Sequence, residues 1–171
     1  MAARDERARQ AILRHHAELT DGVGSRVASL AGTVTAGEPH QAALADLVAY
    51  LVDDVLTHAL AEEQSLYPAA AAAGLAEQVE AMVAEHRELD LGVKALARTV
   101  DGPEAAGRAE ALASLFATHV AAENDVLLPA LLAAEGTSLA DLLSVMHERY
   151  TAAQALAEAA RDPAPASERP I

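Results

Sequence analysis

One stretch of this chain occurs twice. His58-Ala-Leu-Ala-Glu62 is followed by Leu66 and Pro68, and His119-Val-Ala-Ala-Glu123 by Leu127 and Pro129, so both copies read HxxxExxxLxP. Histidine and proline are uncommon enough here that two such matches mark an internal duplication. The duplication extends beyond the motif, because the same distance separates Pro68 from His86 and Pro129 from His147, and His16-Ala-Glu-Leu resembles His86-Arg-Glu-Leu. Each half is therefore an HxEL segment followed by an HxxxE segment. Side chains at i and i+4 stand one above the other on a helix, so His58 with Glu62, and His119 with Glu123, can each grip one metal centre.

The segments around these motifs have helical periodicity. Ile12, Leu19, Val23, Val27 and Leu30 predict a helix over 4–30, in which Gly22 and Gly24 should each cost roughly 1 kcal/mol relative to Ala unless a neighbour approaches closely or the helix bends. Breaks at AGTVTAGEPH (31–40), DGPEAAG (101–107) and EGTS (135–138) predict further helices over 41–68, 75–99, 108–132 and from there to about 160. The expected architecture is all-α, an antiparallel up-down-up-down four-helix bundle with a short additional C-terminal helix. Residues 1–160 should form one domain, and RDPAPASERPI (161–171) a disordered tail.

Composition narrows the function. The 171 residues are 52% hydrophobic with one Phe, three Tyr and no Trp, which suits an Ala- and Leu-rich helical core. A net charge of −14 without a Lys/Arg cluster argues against nucleic acid and anionic membranes as partners. The absence of cysteine removes thiolate chemistry, so a metal would be held by imidazole and carboxylate, which suits iron, manganese or zinc. The charged N-terminus and the lack of a long apolar run lead us to expect a cytoplasmic protein.

Any one histidine on an apolar face is more often a hydrogen-bonded core residue than a ligand. Here four of them, His16, His58, His86 and His119, fall within apolar stripes together with Glu62 and Glu123. The chain has a single lysine to pair with buried carboxylates. An unpaired buried carboxylate costs several kcal/mol against a total stability of about 5–15 kcal/mol, and metal ions resolve that conflict. Glu63, Glu85 and Glu88 fall off the stripes and are expected on the solvated face. His15 points about 100° away from His16, and His40 is expected in a loop. The repeat aligns His147 with His86. A four-helix bundle has no slot for a fifth ligand-bearing helix, so we expect His147 to be vestigial, with ligation at an open coordination position as the alternative.

The order H, HxxxE, H, HxxxE over roughly residues 8–135 resembles the hemerythrin-like HHE cation-binding family. With the doublet Arg14-His15-His16, it is most similar to the actinobacterial, including mycobacterial, hemerythrin-like proteins. The resemblance implies two iron ions, oxo- or hydroxo-bridged, with His16, His58, His86 and His119 as terminal ligands and Glu62 and Glu123 as bridges; zinc or manganese could substitute. Oxygen-carrying hemerythrins have a second histidine where Met82 stands and an aspartate where Glu123 stands, which argues against reversible oxygen carriage. Such a ligand set leaves about two coordination positions free for water, tyrosine, His147 or a small oxidant. The expected function is binding or decomposition of hydrogen peroxide, dioxygen or nitric oxide, with catalase-like peroxide disproportionation the specific reaction to test, by a monomer or weak homodimer. The alternatives are an iron- or oxygen-sensing module without turnover, and a nitric oxide or iron-sulfur repair protein.

Overall fold

The computed structural model describes residues 2–161, and among them every regular element is helical. In order these are α1 (Ala2–Thr35), α2 (Gln41–Tyr50), α3 (Thr57–Glu63), α4 (Leu66–Ala70), α5 (Ala76–Leu96), α6 (Gly102–Ala122), α7 (Leu128–Ala133) and α8 (Leu139–Arg161). Two π-helical segments, Leu51–Leu56 and Glu123–Leu127, join α2 to α3 and α6 to α7, and a kink in Ala71–Leu75, where Gly74 takes φ +97°, joins α4 to α5. Of the expected tail, 162–171 lies outside the described residues and Arg161 closes α8.

Several element bounds differ from expectation: α1 runs on to Thr35, into the stretch expected as a break, and two further differences have a local reason. The helix expected to run unbroken to Pro68 stops at Glu63, with Ser65 off helical geometry. Pro68 has no N–H for the carbonyl of Gln64, so the chain kinks there. The second copy meets the same problem at Pro129 and absorbs it as the π segment Glu123–Leu127. The helix expected from Arg108 begins instead at Gly102, because the Asp101 side chain accepts from the Glu104 N–H at 2.9 Å and Pro103 occupies the first turn.

The helices pack as a bundle: α1 lies against α2, α6 and α8, α5 against α6, and α3 against α8. Gly22 is where α2 comes close, since a Cβ there would collide with the Tyr50 side chain, whereas Gly24 faces open space. The core falls into two apolar clusters. One gathers Leu19, Val55, Leu89 and Phe116; the other gathers Ile12, Leu66, Met82, Leu127 and Met146. Ile12 and Leu19 belong to different clusters and His16 lies between them, as His86 lies between Met82 and Leu89. A polar layer thus divides the core, with hydrocarbon on both sides. Asp5 ties α8 to α1 by accepting from Ser138 Oγ and the Ala140 N–H, both at 3.0 Å. Among the described residues no helix is long and apolar enough to cross a membrane.

Candidate metal centre

All six residues singled out by the repeat lie in that layer: His16, His58, Glu62, His86, His119 and Glu123 are each no more than 5% exposed. The imidazoles turn Nε2 inward. His16 and His58 reach Glu62 Oε1 at 3.3 and 3.0 Å, while His86 faces Glu62 Oε2 at 3.9 Å. Glu123 mirrors this, with Oε1 3.5 Å from His119 and Oε2 3.8 Å from His16. Each carboxylate therefore offers one oxygen to each histidine pair. Ligating atoms converge in two groups that share Glu62, namely His16, His58 and Glu62, and Glu62, His86, His119 and Glu123.

The outward nitrogens show residues that periodicity missed. His86 Nδ1 donates to Glu63 at 2.9 Å, His119 Nδ1 to Glu85 at 2.7 Å, and His16 Nδ1 to Asn124 at 2.7 Å. Glu63 and Glu85 were expected on the solvated face; they keep about a third of their side chains exposed but turn a carboxylate oxygen inward. Glu88 is exposed as expected. The duplication could have found these partners, because Glu63 and Asn124 each follow the motif glutamate and Glu85 precedes the HxEL histidine. Tyr67 is also central: its hydroxyl donates to Glu123 Oε1 at 2.7 Å and lies 3.2 and 3.3 Å from Nε2 of His86 and His119.

His147 is exposed and is not in either convergent group. It lines a cavity of about 470 Å³ between α1, α3 and α8, together with His15, His58, Met146 and Tyr150. His40 lines a separate cavity with Leu44, Val48 and Val100.

Electrostatics amend one step of the sequence argument. Burial pushes the Glu62 carboxyl up, but His58 and His16 outweigh it and hold Glu62 well below the usual carboxylate range. Burial pushes His119 down, yet its bonds to Glu123 and Glu85 bring it up to about 9, and Glu62 raises His16 in the same way. Without metal, two imidazoles raised toward the protonated form therefore face the carboxylates, His16 at Glu62 and His119 at Glu123. Metal and protons compete for one set of nitrogens. Burial and Glu123 keep the Tyr67 hydroxyl protonated.

The donor set fits a cation. Glu123 Oε2 and His58 Nδ1 are buried without a hydrogen-bond partner, and two carboxylates with four imidazoles are the ligands that borderline divalent metals take. Fold and site define an all-helical, histidine- and glutamate-lined cation-binding protein. The chain matches the family described as Hemerythrin HHE cation binding domain over residues 7–131, and it belongs to that family. No curated protein and no solved structure matches it.

Proposed function

We propose that the chain holds about two iron ions in this layer and uses them to bind or decompose small oxidants, hydrogen peroxide foremost. The observation that carries the reading is that Glu62 and Glu123 each present one oxygen to each histidine pair, an arrangement suited to bridging. Zinc or manganese would fit the same donors. The arrangement we infer is the antiparallel up-down-up-down four-helix bundle within residues 1–160, with α8 laid on α1 and α3, and the likeness to actinobacterial hemerythrin-like proteins is part of this reading.

Bound iron would supply redox-active cations that exchange electrons with peroxide, dioxygen or nitric oxide. The chain's own residues do the rest. The histidines and glutamates fix the ligand geometry, and the two apolar clusters exclude water. The Tyr67 hydroxyl stays protonated as a donor beside the His86–His119 pair. The cavity bordering His58 has room for a small oxidant. We place the protein in the cytoplasm as a monomer or weak homodimer.

Iron-loaded protein mixed with hydrogen peroxide tests this. Steady oxygen evolution over many turnovers is the expected result. A single stoichiometric spectral change without oxygen release would favour a sensing or binding module, and response to nitric oxide alone would favour a repair role.

A further inference from the structure

The repeat makes two halves that are not chemically equal. In one half, His86 and His119 are backed by the carboxylates of Glu63 and Glu85 and faced by the Tyr67 hydroxyl. In the other, His16 is backed by the amide of Asn124, which holds the repeat position of Glu63. His58 has no partner at Nδ1; the repeat position of Glu85 is His15, whose ring centre lies 4.9 Å from that of His58. The position of Tyr67 is taken in the second copy by Leu128, a buried hydrocarbon.

A carboxylate that accepts from the outer nitrogen of a ligating imidazole fixes its tautomer and makes it more basic, and losing such a partner typically costs about 10–100-fold in metal affinity. An amide oxygen or a neutral imidazole does this less. Resting on the two-metal reading above, we propose that the centre has a tight position at His86 and His119 and a weaker, exchangeable position at His16 and His58. Glu63 and Glu85 act as positioning residues for the first, and Asn124 and His15 stand where the second lacks them. A cavity of about 470 Å³ borders His58 at the weak position, and a smaller one of about 230 Å³ borders His86 and Glu63 at the tight one.

Zinc, which is redox-silent, tests this on the chelator-stripped full chain. Competition against a chromophoric chelator should give two steps separated by about tenfold or more. Crystals loaded with one equivalent of zinc should show the anomalous peak between His86 and His119. Glu63→Gln together with Glu85→Gln should weaken the tight step by about 10–100-fold and leave the other. Asn124→Glu, which copies the repeat mate, should tighten the weak step. Two equal steps, a first zinc at His16 and His58, or an unchanged tight step in the Glu63/Glu85 double variant would overturn the inference. Saturation below about two zinc ions per chain is a different failure, and it overturns the two-metal reading along with the inference.

Discussion

Tyr67 donates to Glu123 across 2.7 Å, and both residues are no more than 2% exposed. A hydrogen bond to a charged acceptor is worth about 1.5–3 kcal/mol, and removing the hydroxyl leaves Glu123 Oε1 without its closest donor. Tyr67→Phe should therefore destabilise the metal-free chain by about that amount, read by urea denaturation. An unchanged midpoint would contradict the placement of Tyr67 against Glu123.

Proton and metal should act oppositely on stability. His119 titrates in the folded chain at about 9, above its ordinary 6.5, so its contribution is complete below pH 6.5 and disappears as pH rises through 9. Glu62 titrates below its ordinary 4.5, so its contribution is present above that value and is lost on acidification. The metal-free chain should melt highest between roughly pH 4.5 and 6.5, and its melting temperature should fall toward pH 9. Metal affinity should rise over that alkaline range, as protons cease to compete. Thermal melts with and without zinc check both, and a metal-free melting temperature that climbs from pH 6.5 to 9 would contradict the imidazolium–carboxylate pairing.

Glu62 and its neighbour Glu63 should separate cleanly. Glu62 faces both histidine pairs, whereas Glu63 touches only the outer nitrogen of His86. Glu62→Ala should abolish stoichiometric metal binding, while Glu63→Ala should weaken it by about 10–100-fold and still saturate. Equal metal content in both variants at limiting metal would refute the register of α3.

Gly22 and Gly24 of α1 should respond differently to substitution by alanine. Gly24 faces open space in a helix, so Gly24→Ala should stabilise by about 0.5–1 kcal/mol. At Gly22 the added methyl meets Tyr50, whose ring also carries Arg26 at 3.9 Å, so Gly22→Ala should lose that gain or reverse it. Denaturation midpoints of the two variants check this.

The sequence showed the inward half of the site and hid the outward half. His58 with Glu62 and His119 with Glu123 were legible as a repeated i, i+4 spacing on an apolar stripe, and His16 and His86 as the histidines of the two HxEL segments. Glu63, Glu85 and Asn124 fall off the stripe, so periodicity assigns them to solvent; their role appears only when neighbouring helices bring them against an imidazole. Tyr67 lies next to Leu66 and before an alanine run, with no spacing that singles it out. Its inward turn follows from the kink that Pro68 forces after Glu63. The break at Ser65 and the π segment at Glu123 were hidden for a related reason, since proline announces a lost hydrogen bond but not whether the helix breaks or widens.

The central claim is that the layer between the two apolar clusters is a metal centre with two positions, and the metal content of protein purified without chelators tests it most directly. Elemental analysis against protein concentration should give about two ions per chain, chiefly iron, falling close to zero in Glu62→Ala. A wild-type chain carrying no stoichiometric metal, and taking up none when iron, zinc or manganese is supplied, would contradict the account.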